Sequence, residues 1–226
     1  ADSVVGLSQA GAAEIERYAK SRQAKTIAFG TGRALRACTN ELTNMQCPQH
    51  RIVSLVGNIA QDGSASRYDV AIHVAERLGA RHFPMPVPVI ASAQADKAQW
   101  QQLTHVKNVH ELALQADVYF VGVGDLGINS PLHLDGFITQ HELAALEAMG
   151  ATGEVISWIF DSNGKLVQSD INQRVTSVAL STRRDKHVIG IAAGQNKVPA
   201  IAGAIESGMI NSLITNESTA EALLHL

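Results

Sequence analysis

Short apolar runs trade places with longer amphipathic stretches along the whole chain. Over residues 4–23, Ile15, Tyr18 and Ala19 fall at helical spacing, which predicts a helix. Residues 26–29 then read as a strand and 33–44 as a helix. A strand over 51–56 ends in Gly57-Asn58. The helix predicted over 67–78 carries its apolar face on Val70, Ala71, Val74 and Leu78, and Gly79 stops it. Residues 82–85 make a short strand at most. The run FPMPVPVIAS, from residue 83, is predicted as an extended connection, because proline breaks helices and cannot sit in a central strand.

Helical segments follow over 95–103 and 108–115. The strand over 117–123 has a nearly continuous apolar core, VYFVGV, which suits a parallel strand covered on both faces. A helix over 139–149 precedes two predicted strands, 155–160 and 174–180, with a turn at Asp161-Ser-Asn-Gly164 after the first. The chain closes with a strand over 187–192, a helix over 198–207, a strand over 211–215 and a helix over 217–224.

Strands alternating with helices build βαβ units, so the predicted class is α/β: a mainly parallel sheet with helices on both faces. Such sheets bind ligands at the carboxyl ends of their strands. That makes the loops after Phe29, Val56, Val123, Ala193 and Thr215 the candidates. No internal repeat or linker divides the chain, and residues 1–226 are expected to serve one binding function.

Composition narrows the function. Hydrophobic residues make up 46% and charged residues 17%, enough for a sizeable core and too few charges for a disordered chain. Net charge is −3 and no Lys/Arg cluster stands out, so the chain has no electrostatic footprint for DNA of its own. Cys38 and Cys47 form no C-x-x-C pair, and no His/Cys/Asp/Glu spacing suggests a metal. No cofactor is called for: Val121-Gly-Val-Gly-Asp-Leu-Gly127 lacks the spacing of a dinucleotide fingerprint. No apolar run reaches the length of a membrane span, and the expected location is the cytoplasm.

Gly30-Thr31-Gly32-Arg33 joins a strand to a helix. It is either a plain βα turn or a cradle for a phosphate, with glycines for close approach, helix-end amides, a hydroxyl and a guanidinium. Gly194-Gln-Asn-Lys197 poses the same choice: a lysine in the first turn opposes the helix dipole, and an anion would relieve it. Asn216-Glu217-Ser218-Thr219 reads as helix capping beside the same strand ends. Asp161 fits the first position of a β-turn equally well as a partner for sugar hydroxyls.

Together these stretches resemble the effector-binding domain of the SorC family of bacterial sugar-responsive transcription regulators, with DeoR-type regulators as wider relatives. The resemblance runs along essentially the whole chain and is carried by GATGEVISWIFDSNGKLV, by HVIGIAAGQNKVPAIAGAIESGMINSLITNESTAEALL and by ADVYFVGVGDL with SPL after it. It implies the Rossmann-like fold shared with glucosamine-phosphate deaminase and ribose-phosphate isomerase, and a phosphorylated sugar or related polyol as effector. The phosphate is then expected on Gly30, Thr31, Gly32, Arg33 and Lys197, beside Gly194. Asp161 is expected to face the sugar, and Asn216, Glu217, Ser218 and Thr219 to line the same pocket by position. Asn58 stands where a second glycine is common, and Asn216 where aspartate is common. The resemblance further implies a helix-turn-helix upstream of residue 1, through which a homodimer or tetramer reads operator DNA. The competing expectation is an enzyme on the same fold, a sugar-phosphate isomerase or aminosugar-phosphate deaminase, with Asp125 or Asp161 as base.

Overall fold

The computed structural model describes residues 4–60, 63–65, 69–127, 129–180 and 186–226. Its strands in chain order are β1 (Thr26–Phe29), β2 (Arg51–Ile59), β3 (Arg81–Pro88), β4 (Val118–Gly122), β5 (Gly124–Asp125), β6 (Ala151–Val155), β7 (Trp158–Asp161), β8 (His187–Ile191) and β9 (Ser212–Ile214). The first helices are α1 (Val4–Ala19), α2 (Arg33–Glu41), α3 (Val70–Leu78), α4 (Gln94–Trp100) and α5 (Thr104–Leu114). The later ones are α6 (Pro131–Leu134), α7 (Gln140–Ala148), α8 (Asp170–Arg174), α9 (Val198–Glu206) and α10 (Glu217–Leu224).

Six strands in the order β3-β2-β1-β4-β8-β9 form one sheet, and every pairing in it is parallel. This is the mainly parallel α/β sheet that the alternating pattern predicts, and the Rossmann-like fold that the resemblance implies. Successive side chains on a strand point to opposite faces, and both faces here are covered. Ile27, Phe29, Val118 and Phe120 pack with Leu7, Ile15, Leu35 and Val74 on the side of α1, α2 and α3. Ala28, Tyr119 and Val121 pack with Val106, Ala113, Ala200 and Ile201 on the side of α5 and α9. Phe29 and Phe120 stack with ring centroids 5.2 Å apart. Each buried phenyl ring contributes about 1.5–3 kcal/mol, so the pair fastens β1 firmly to β4.

That junction matters because the strand order reverses there. From β1 the chain builds outward through β2 to β3, and then returns by α4 and α5 to place β4 on the other side of β1. A reversal splays the loops at the carboxyl ends of the two strands and opens a crevice between them. The antiparallel sheet β5-β6-β7 stands beside these ends and packs against α9.

Three elements depart from the predicted ones. The proline run is a strand, β3, paired in parallel with β2 from Arg81 to Pro88. It lies at the sheet edge, the place where a residue without an N–H costs no ladder bond. The strand predicted over 155–160 is two strands, β6 and β7, with the turn at Ile156 and Ser157. The strand predicted over 174–180 is instead the end of α8 and an extended segment. Ser169 caps α8 by accepting the Asn172 N–H at 3.2 Å, and Arg174 is held there by Glu142 at 2.8 Å and Asp170 at 2.7 Å. Beyond it, Thr176 and Val178 donate to Val89 and Leu55 without forming a ladder. The predicted helix start at Arg67 lies outside the described residues, and α3 is described from Val70.

Candidate functional site

The crevice is walled first by the loop after β1. Gly30 donates to the Phe120 carbonyl at 2.8 Å, which anchors the strand end. Gly32 then takes φ 137° and ψ 156°, a conformation open essentially to glycine alone, and α2 begins at Arg33. The Gly32 carbonyl accepts from Arg36 at 2.9 Å as the first helical bond. The amides ahead of Arg36 therefore face out of the helix end, and no side chain caps them. They carry the partial positive charge of the helix start.

The loop after β4 crosses this one backbone to backbone. A Cβ on Gly122 would lie 2.8 Å from the Thr31 carbonyl oxygen, so only glycine permits the crossing. From the end of β8 a third loop arrives. Gly194 leads into a 3-10 turn over Gln195–Lys197, which places Lys197 at the start of α9. The Lys197 ammonium donates to the Val123 carbonyl at 2.9 Å and so spans the crevice.

The hairpin β6-β7 closes one side. Register pairs Glu154 with Gly124, which brings the carboxylate over the loop after β4. Glu154 accepts the Ser157 N–H at 2.7 Å, across a turn in which Ile156 and Ser157 both have positive φ, 45° and 70°. A β-branched residue in that region is strained, and here the strain places Ile156 against Gly30. Arg33 and Asp135 face each other at 3.5 Å, and Pro131, Leu132 and Phe137 add an apolar wall with Val56, Val89 and Ile191.

Thr31, Gly32, Arg33, Glu154, Ser157 and Lys197 share one cleft with a volume of about 80 Å³. On the same measure a single water needs about 10–15 Å³, so the cleft has room for a small molecule. Burial pushes the Glu154 carboxyl above the usual carboxylate range; the Ser157 N–H and Lys197 oppose that shift, and Asp125 adds to it. Arg33 and Lys197 line the cleft together with Glu154 and Asp135, next to the outward-facing amides of α2.

The structure brings Thr31, Gly32, Arg33 and Lys197 together, with Gly30 beneath them at the strand junction. The other predicted residues lie off the wall. Asp125 sits in β5 and acts on the Glu154 carboxyl rather than lining the cleft. Asn58 is in β2, two residues past Val56. Asp161 accepts the Asn163 and Lys165 N–H groups at 2.9 and 3.0 Å, which is the turn geometry. Asn216 caps α10 by accepting the Thr219 N–H at 3.1 Å, and buried Thr219 accepts the Gly194 N–H at 2.9 Å. The Ser218 carbonyl accepts from the Gln195 side chain at 3.0 Å, while Glu217 is exposed in the first turn of α10. This last loop buttresses the Gly194–Lys197 turn from behind.

Glu154, Ser157, Asp135 and Phe137 are cleft residues that the sequence reading did not single out. The sign available for Glu154 was a carboxylate four residues after Gly150, directly ahead of the mostly apolar run VISWIF. Ser157 was hidden inside VISWIF, which reads as one strand. Among the described residues no group of three or more His, Cys, Asp or Glu could hold a metal ion, and no helix is long and apolar enough to cross a membrane.

The Sugar-bind family model, described as "Putative sugar-binding domain", matches residues 3–225. The erythritol catabolism regulatory protein EryD of Brucella abortus is 28% identical over 221 residues, covering 98% of this chain and 70% of that protein. The sorbitol operon regulator of Klebsiella pneumoniae is 29% identical over 231 residues, covering 99% and 71%. Among solved structures, full-length SorC from Klebsiella pneumoniae superposes with a TM-score of 0.87 at 29% identity, covering 98% of this chain and 72% of that one. A DeoR family transcriptional regulator from Listeria monocytogenes has the same fold, with a TM-score of 0.85 at 21% identity over 96% and 85% of the two chains.

Proposed function

We propose, from the premise that this chain belongs to the sugar-binding domain family of SorC- and DeoR-type transcriptional regulators, that its cleft holds a phosphorylated sugar or sugar alcohol as effector. The observation that carries the reading is the convergence of the open amides of α2, the Arg33 guanidinium and the Lys197 ammonium on one small cleft. Helix-end amides with an added fork of N–H donors suit a phosphate or carboxylate end. Glu154 and Ser157 face the space left for the body of the ligand, where hydroxyl groups would meet them. Two relatives are named for erythritol catabolism and for the sorbitol operon, which supports a polyol skeleton.

In this reading residues 1–226 are the effector domain of a cytoplasmic regulator. A helix-turn-helix domain upstream of residue 1 contacts the operator, and the regulator works as a dimer or tetramer. The match to about 70% of each regulator's length supports a further domain. The effector binds one arrangement of subunits better than another and shifts DNA affinity by that difference, typically about 1–3 kcal/mol. The relatives are named regulators rather than enzymes, which favours sensing over turnover. Calorimetric titration of the chain with phosphates of four- to six-carbon sugars and sugar alcohols tests the proposal. Binding by one or a few of them is expected; flat heats across the panel overturn it. Light scattering with and without the bound compound tests the oligomeric part.

A further inference from the structure

A second polar pocket lies on the outer side of the sheet's helix layer, between α2 and α3, with a volume of about 440 Å³. Arg36, Thr39, Asn40, Asn44, His73, Glu76 and Arg77 line it. None of these residues borders the effector cleft. Arg36 makes no ion pair among the described residues, and its nitrogen Nη1 is buried without a hydrogen-bond partner. A buried guanidinium nitrogen without an acceptor is costly, and such groups in folded proteins call for an explanation.

Arg77 reaches the same pocket and is steadied by a hydrogen bond from Nη1 to Asn44 Oδ1 at 3.2 Å. His73 stands 3.5 Å from Glu76, whose side chain is 69% exposed and therefore well screened by water. Thr39 is already committed: its hydroxyl donates to the Arg36 carbonyl at 2.8 Å, which fixes that turn of α2. Two arginines thus line one polar hollow whose only lining carboxylate among the described residues is the exposed Glu76.

We infer that this pocket is a second ligand site, selective for a small oxyanion-bearing molecule, a phosphate or a carboxylate, gripped between Arg36 and Arg77. Arginine matches both chemistries through paired N–H donors. Asn40 and Asn44 add donors and acceptors for neighbouring hydroxyls. The site is distinct from the effector cleft and does not depend on what that cleft binds. The two are nonetheless joined by one short helix, since Arg33 and Arg36 lie one turn apart on α2.

The full chain carrying Arg33→Gln and Lys197→Gln, which disable the cleft, is titrated by calorimetry with inorganic phosphate and separately with citrate at fixed ionic strength. Binding of at least one is expected, weakened tenfold or more by adding Arg36→Gln or Arg77→Gln. Phosphate alone assigns the site to phosphorylated ligands, citrate alone to carboxylates. In the otherwise native chain, Arg36→Gln leaves the affinity of any cleft-bound sugar phosphate within about twofold. Arg36→Lys keeps charge without the fork, is expected to weaken binding less than Arg36→Gln, and serves as the probe should the glutamine variant not fold. The inference is overturned if the cleft-disabled chain binds neither anion, or if the Arg36 variants bind like their parent. It is equally overturned if the wild type binds neither anion and Arg36→Gln abolishes self-association, which would make Arg36 an interface residue.

Discussion

Asn172 closes a two-way hydrogen bond with the backbone of Ile159, accepting its N–H at 2.9 Å and donating to its carbonyl at 2.7 Å. The same carboxamide donates to the Val167 carbonyl at 2.7 Å. One buried side chain thereby does for β7 what a neighbouring strand would do, and β7 holds the turn that presents Glu154 and Ser157 to the cleft.

Asn172→Ala orphans the Ile159 N–H and takes one of two donors from the Ile159 and Val167 carbonyls, which keep the Val167 and Ser169 N–H groups at 3.0 Å. An orphaned buried N–H costs roughly 1–3 kcal/mol, and the lost second donor at each carbonyl adds to it without simple additivity. A destabilisation of about 2–4 kcal/mol is expected in urea unfolding. Asn172→Asp is expected to cost more, since a carboxylate accepts from Ile159 yet cannot donate to either carbonyl.

Lys197 tests the cleft itself. Lys197→Met keeps the apolar stem and removes the ammonium that reaches Val123. Loss of a charge-assisted hydrogen bond to a ligand anion removes about 1.5–3 kcal/mol of binding, so effector affinity should fall roughly 10- to 100-fold. Lys197 is only half-buried, so thermal unfolding should move little. A large drop in melting temperature with unchanged affinity would assign Lys197 to the scaffold alone.

How much of this was legible in the sequence follows from which residue types speak locally. The run VYFVGV announces a strand buried on both faces, and β4 is one. Gly30 to Gly32 announce a strand-to-helix loop, and α2 starts at Arg33 as predicted. VISWIF does not announce a hairpin, because its turn is made by Ile156 and Ser157 with no glycine, asparagine or proline to mark positive φ. That one missed turn also hid the cleft position of Glu154, while Asp161 makes the turn hydrogen bonds that its sequence context equally allows. The edge position of β3, which makes its prolines acceptable, is a fact of tertiary order that no local pattern contains.

Gly122→Ala probes the crossing of the two loops at the sheet's switch point. The added methyl would sit 2.8 Å from the Thr31 carbonyl oxygen, a backbone atom that cannot swing aside. Either β4 or the Gly30–Gly32 loop must shift, at an expected cost of about 1–3 kcal/mol. Because the shift separates the α2 amides from Lys197, effector affinity should fall along with stability. Gly127→Ala, where a Cβ meets nothing closer than 3.9 Å, is the matched control and should leave both nearly unchanged.

Glu154 makes the stability of the fold a matter of pH. Burial raises its carboxyl above the ordinary value of 4.5 in the folded chain, more than the Ser157 N–H and Lys197 lower it. The folded state therefore binds the proton more tightly than the unfolded state. Its contribution to stability is fully present below the unfolded value and is lost as pH rises through the folded one. Glu154→Gln keeps an oxygen that can accept the Ser157 N–H and removes the titration. Urea unfolding of both proteins from pH 4.5 to pH 8 should then show the variant gaining on the native chain as pH rises, with the gap levelling off once native Glu154 is ionised. Parallel curves across that range would mean that Lys197 and the Ser157 amide compensate the buried charge in full, and that Glu154 meets its ligand as a carboxylate that only accepts hydrogen bonds from the sugar.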